Sequence, residues 1–290
     1  MLFLSQLING IQIGSIYALV ALGYSMVYGI VKLINFAHGD IIMMGSYAVW
    51  FFIARLNLHP AVSIVLSILF CAFLGVAIEK VAYKPLRNSP RISLLITAIG
   101  VSFLLQYGMQ LIFTPNPRMF SNLFPGQLPI GNFSISNATL VTIGVSICMM
   151  VLLTILVNRT KMGKAMRAVS EDNEAAQLMG INVNNTISFT FAIGSALAAV
   201  AAVLYCCSYQ QIEPTMGSML GLKAFVAAVL GGIGSIPGAV IGGLLIGIAE
   251  SFTKGYLSSA LADAVVFGIL ILVLLIKPAG IFGRNSHEKV

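Results

Sequence analysis

Side chains able to bind, protonate or steer a ligand are scarce in these 290 residues, and they fall in three places. The segment KLINFAHGD (32–40) sets Asn35, His38 and Asp40 between two apolar runs. An amide, an imidazole and a carboxylate at this spacing suit a turn, with Asp40 capping the next helix by accepting hydrogen bonds from its first amides. They also suit a gate or a piece of passage wall, provided the break lies deep among the apolar segments. A metal site would need a second histidine at ligand spacing, and His59 and His287 stand far along the chain.

The second place is Lys223, inside an apolar stretch with no acid beside it. Its amine either snorkels to an interface or faces an internal cavity. Glu250 and Lys254, four residues apart, have the order that favours a helical ion pair. The third place is Arg167–Gly180. Here Ser170 can cap a short helix whose first turn holds Glu171, Asp172 and Glu174, favourable against the helix dipole. Ala175, Ala176, Leu178 and Met179 continue it, and Gly180 ends it as a left-handed stop. Such a helix is either a solvated loop element or a piece that docks into a groove on a soluble partner.

The elements that must position these residues are set by charge avoidance. Lys, Arg, Asp and Glu total 25, and hydrophobic residues make up 58% of the chain. Stretches such as Val62–Ala77, Leu140–Val157 and Val265–Ile276 contain no charge at all. About 20 mainly apolar residues cross the roughly 30 Å of hydrocarbon as a helix, and a lone charge there costs several kcal/mol. Lipid admits only helices or closed barrels, and continuous apolarity without strict alternation favours helices. The expected fold is therefore all-α: a polytopic transmembrane helical bundle in a single domain, 1–290. Spans are expected near 7–31, 37–54, 62–82, 92–113, 138–157, 187–208, 219–231, 238–252 and 262–277. The seventh and eighth are short and glycine-rich, either two thin spans or a broken re-entrant pair, so the count is eight to ten. The first span is too long for a signal-peptide core and should be retained.

Lys80, Lys84, Arg87 and Arg91 cluster in one loop, and Arg159, Lys161, Lys164 and Arg167 in another. Both loops should be cytoplasmic, the second over about 158–186, with Lys277, Arg284 and Lys289 in a cytoplasmic tail. The loop of about 114–137, with four prolines and Arg118 as its one charge, should be external. Counting back through three spans puts the N-terminus outside. This loop placement accounts for the net charge of +7 without a nucleic-acid face. Cys71, Cys148, Cys206 and Cys207 sit in apolar stretches as packing residues. Nine of the 28 glycines fall between Gly217 and Gly247. Gly238/Gly242 and Gly243/Gly247 are small-residue pairs that let backbones approach. Gly231, Gly232 and Gly234 break the helix, and the region is either tight packing or a hinge and passage lining.

No G-x-x-x-x-G-K-[ST] phosphate loop occurs, nor HExxH or GxSxG. Uphill transport would draw its energy from another chain. The stretches GSIYALVALGYSMVYGIVKLINFAHGD (14–40), EKVAYKPLR (79–87), MGKAMRAVSEDNEAAQLMGIN (162–182) and GLKAFVAAVLGGIGSIPGAVIGGLLIGIAES (221–251), with the tail ILILVLLIKPAGIFGR, carry a likeness over essentially the whole chain. The chain resembles the permease subunits of bacterial branched-chain amino acid ABC importers.

The resemblance implies an inner-membrane permease that pairs with a second, related permease subunit and two ATP-binding subunits. ATP and magnesium would be bound by those partners and no cofactor by this chain, while a periplasmic amino-acid-binding protein delivers leucine, isoleucine or valine. It also puts the coupling loop at Arg167–Gly180. Related permeases for urea or short amides share the NFAHGD and GGIGS motifs, so these fix the family better than the substrate. A self-sufficient secondary transporter is the competing class, since interrupted segments in two halves are its signature. A membrane enzyme would need converging catalytic side chains, which the sequence does not suggest.

Overall fold

A computed structural model describes residues 2–32, 35–87, 89–130 and 133–283, without the side chains of Arg91, Ile130 and Phe133. Arg284, His287 and Lys289 lie outside the described residues. Eleven α-helices occur among them: α1 (Leu2–Val31), α2 (His38–Ala54), α3 (Pro60–Ile78), α4 (Arg91–Phe113), α5 (Asn137–Arg159), α6 (Lys161–Glu171), α7 (Asn173–Leu178), α8 (Val183–Tyr209), α9 (Met216–Gly231), α10 (Ile236–Tyr256) and α11 (Ala262–Ile276). A π-helical turn, Glu79–Tyr83, and a 3₁₀ turn, Lys84–Leu86, prolong α3.

Seven of these helices are long and apolar enough to cross a membrane, α3 and α11 when taken with their adjoining turns, as Pro60–Leu86 and Ser259–Ile276. The other two expected spans are real helices but fall short of the bilayer. α9 has 16 residues and α2 has 17, about 24 and 26 Å at a rise of 1.5 Å per residue. The eighth span is not thin, because α10 runs for 21 residues. Only one member of the expected short pair is short.

The helices divide into a centre and a shell. The apolar window of α1 is 83% buried and that of α8 is 72%, against 17% for α4 and α5 and 11% for the last span. The centre is built on glycine. A Cβ at Gly14 would stand 2.8 Å from the Leu244 Cα, and one at Gly247 would collide with the Gly14 backbone. Those close approaches let α1 and α10 pack by backbone dispersion.

The two ends of the bundle are distinct. Arg87, past the end of α3, donates to Asn184 at the start of α8, so the two basic loops meet at one end. The proline-rich segment lies at the other and is more than a loop. It holds β1 (Arg118–Met119), which pairs antiparallel with β4 (Gln211–Ile212), and a hairpin of β2 (Gln127–Ile130) and β3 (Phe133–Ser136). The Arg118 guanidinium lies over the Trp50 ring, 4.8 Å from its centre, which fixes this end to α2. Gln12 of α1 donates to Ser208 Oγ at the end of α8, beside β4, so α1 begins at the proline-loop end and finishes at the basic end.

Candidate functional site

At the basic end, Thr160 opens α6 by accepting from the Gly163 amide at 3.0 Å. Gly163 is required by space, because a Cβ there would collide with the Leu156 and Val157 carbonyls. Met166 and Val169 turn inward, while Lys161, Lys164 and Arg167 face outward. Ser170 does not cap the second helix. It lies inside α6 and donates to the Arg167 carbonyl. The cap is Asp172, whose extended backbone ends α6 and whose Oδ1 accepts from Glu174 and Ala175 amides at 2.8 and 3.0 Å.

α7 is closed as the sequence suggests. Gly180 has φ +81°, and the Ile181 and Gly180 amides donate back to the Ala176 and Gln177 carbonyls, the Schellman pattern. Glu171, Asp172, Glu174 and Ala175 are exposed, whereas Ala176 is buried and anchors the helix. Leu178 and Met179 are 88% and 83% exposed, a pair of large apolar side chains on an otherwise polar tip. Beside α7 lies a groove of about 650 Å³ between Glu174, Gln177, Asn184, Arg87 and the end of α1.

The second place lies deep. A Cβ at Gly23, about two turns before the end of α1, would meet the His38 ring, and Gly194 of α8 lies against the same ring. Gly23 is roughly 12 Å from the end of α1 by helical rise. α2 therefore starts inside the bundle, where the surface-turn reading had put it at the edge. Gly39 packs against Gly217 and Gly221, so the first turns of α2 and α9 meet. Asp40 does not cap α2, whose N-cap residue is Ala37. Its Oδ1 accepts from Gln106 Nε2 of α4 at 2.9 Å, and that nitrogen also lies 2.9 Å from Ser218 Oγ of α9. A carboxylate between two helix N-termini is well placed against both dipoles. Asn35 Oδ1 accepts from Tyr83 OH at 2.7 Å, and Tyr24 meets the His38 ring edge-on at 4.7 Å. His38 Nε2 has no hydrogen-bond partner among the described residues and is pressed against Gly23. Ring and glycine fit each other closely, since a Cβ at Gly23 would collide with the imidazole.

Lys223 has acids after all, supplied by other helices. Its amine donates to Glu250 Oε1 of α10 at 2.8 Å and lies 2.6 Å from Asp263 Oδ1 of α11. Glu250 also accepts from Lys254 at 2.6 Å and from Tyr17 OH at 2.6 Å. Lys223 is buried, and it lines a pocket instead of snorkelling. Gly231, Gly232 and Gly234 form the turn between α9 and α10. Gly231 packs on the Gly238 backbone, and Gly232, with φ +100°, lies against Gly283. The Ile281 and Phe282 amides donate to Leu230 and Gly231, sealing that turn with the chain's own tail. Gly234, with φ +91°, has only the Gly29 Cα near its missing side chain.

The family model for the permease component of branched-chain amino acid transport systems matches residues 6–274. The chain belongs to this family. The high-affinity branched-chain amino acid transport system permease protein LivH of Escherichia coli is 48% identical, over 99% of this chain and 98% of its own. The corresponding protein BraD of Pseudomonas aeruginosa is 46% identical over the same shares. A probable branched-chain amino acid transport permease of Methanocaldococcus jannaschii is 32% identical over 93% of this chain and 89% of its own. No solved structure matches the chain. It is a multi-pass membrane permease and one component of a larger transport system.

Sequence reasoning missed several polar groups of this permease, among them Gln106, Tyr83 and Asp263, and one whole cluster. Glu79, fully buried in the π-helical turn after α3, pairs with Arg87 and accepts from Ser188 Oγ of α8 at 2.6 Å. Arg87 donates in turn to Asn184 at 2.7 Å. The usable signal was an acid at a span end with arginine two turns later in EKVAYKPLR. The cluster of positive charge around it drew attention to sidedness instead.

Proposed function

We propose that this permease carries leucine, isoleucine and valine through the bacterial inner membrane as one of two related permease subunits of an ATP-binding-cassette importer. Two partner subunits bind ATP and magnesium, and a periplasmic binding protein delivers the amino acid. The observation that carries the reading is α7, a capped six-residue helix at the basic end with Leu178 and Met179 bare at its tip. A short rigid helix with an apolar tip suits a groove on a soluble protein, and the basic loops around it favour the cytoplasmic side. Arg167, Glu171, Asp172, Glu174 and Ala175 would frame this contact, with Gly180 and Ala176 holding its shape. Ser170 would act only through the end of α6.

Movement of α7 would reach the membrane helices by two routes. One is the chain itself, through Ile181 into α8. The other is Arg87, which ties Asn184 of α8 to Glu79 of the α3 extension. The names of the relatives supply the substrate class, and an apolar cargo asks little chemistry of its passage.

A second reading is a self-sufficient carrier, favoured by the shortened helices α2 and α9 whose first turns meet around Asp40. One experiment separates the two. The permease alone and the assembled complex are placed in proteoliposomes with leucine and the binding protein. The importer reading expects concentrative, ATP-dependent uptake by the complex and none by the lone chain. Uphill uptake by the lone chain, driven by a proton or sodium gradient, would establish the carrier.

A further inference from the structure

The pocket around Lys223 is unused by the coupling mechanism. It has a volume of about 340 Å³ and is bounded by Tyr17, Tyr205, Tyr209, Glu213, Lys223 and Lys254, at the lower end of the roughly 300–1,000 Å³ of small-molecule sites. It opens near β4, at the proline-loop end, through which an imported solute would enter.

Its charges are not all spent on one another. Both oxygens of Glu250 are used, by two lysines and a tyrosine. An ammonium carries three N–H donors. Lys223 places two of them, on Glu250 and Asp263, and Lys254 places one, on Glu250. Donors are left over on both lysines. In the same pocket, Glu213 is half-buried and makes no ion pair among the described residues. It sits beside Tyr205 and Tyr209, whose rings stack with centres 4.4 Å apart. Spare N–H donors, a carboxylate without an ion pair among the described residues and aromatic rings, all lining one pocket, are complementary to one ligand class. That class carries a carboxylate and an ammonium on the same carbon.

We infer that this pocket holds the α-carboxylate and α-ammonium of the amino acid on its way in, with spare donors of Lys223 and Lys254 on the former and Glu213 on the latter. The inference rests on the amino-acid transport proposed above and adds a place where the cargo pauses. The polar groups touch only the head that all α-amino acids share, so the site does not separate leucine from valine.

The test uses the assembled complex in detergent with a cysteine at exposed Thr215 on the pocket's rim and Cys148 replaced by serine. The rate of maleimide labelling is the readout. Leucine should slow labelling, whereas 4-methylpentanoate, which lacks the ammonium, and 3-methylbutylamine, which lacks the carboxylate, should not. Lys254→Gln and Glu213→Gln should each raise the leucine concentration needed by about tenfold, the loss of one charge-assisted hydrogen bond. Retention of the ATPase subunits on purification shows that a variant is assembled. Equal protection by either truncated analogue, or unchanged protection in both assembled variants, would overturn the site. So would absence of protection by leucine in a complex that transports it, and that result would leave the transport reading standing. Failure of the intact complex to transport leucine at all would count against the transport reading instead.

Discussion

The glycines of α1 and α10 and the glycine that ends α7 do opposite work. In the centre, Gly14, Gly242, Gly243 and Gly247 have ordinary helical backbones and no space. A Cβ at Gly242 would collide with the Ala227 carbonyl, and one at Gly243 with the Ala18 backbone. At Gly180 the space is open, with nothing within 4 Å of a built Cβ, and the backbone is left-handed at φ +81°. The first set is needed for its lack of volume, the second for its freedom of rotation. A rigid, backbone-packed centre thus carries at its basic end a small element whose requirement is purely conformational. That is what a docking helix needs, since it must keep its shape while its surroundings change.

Substitutions should split along this line. The largest effect is expected for Gly247→Leu, which drives a side chain into the α1 backbone where neither helix can retreat. The yield of monodisperse permease after detergent extraction should fall to near nothing, and a normal yield would show that α1 and α10 can separate. Gly180→Val comes next. A β-branched residue in the left-handed region costs about 1–2 kcal/mol or more, so recovery of the ATPase with the permease should drop several-fold while insertion stays normal. Gly180→Asn, which tolerates that region, should restore most of it. If valine and asparagine behave alike, the left-handed stop is not what matters.

A smaller effect is expected for Gly23→Ala. Its methyl group would press on the His38 ring, which has a flexible bond by which to yield. Uptake should slow, with the ratio of leucine to valine unchanged for a given binding protein. A changed ratio would place substrate selectivity at the break and contradict the view that it acts through conformation. The smallest effect belongs to Gly144→Ala on α5, where the built Cβ meets nothing. Yield and uptake should match the parent protein.

The nine apolar helices, the short helix before Gly180 and the Gly180 stop were legible because each rests on local pattern: run length, an acidic first turn, a terminal glycine. Depth was not legible. The run beginning at His38 reads as a surface-to-surface span, yet its start is seated between Gly23 and Gly194, which only tertiary packing decides. Ion-pair partners were hidden for the same reason. Lys223 looks orphaned along the chain and is satisfied by Glu250 and Asp263 from two other helices. Ser170 and Asp172 are both good capping types two residues apart, and the choice fell to Asp172 because the chain is extended there. Ala176, which the pattern places simply in the run that continues the helix, is turned inward by helical phase.

The account depends most on α7 being the contact through which a partner ATPase drives the membrane helices. Single cysteines at Ala175, Leu178 and Met179, all exposed, and at buried Ala176 can be placed in the co-expressed complex and treated with a short thiol-to-amine cross-linker. The account predicts a covalent product with the ATP-binding subunit from Leu178 and Met179 and none from Ala176, with a yield that changes when ATP is bound. No product from any exposed position between 171 and 179, in a complex that still imports leucine with ATP, would contradict it.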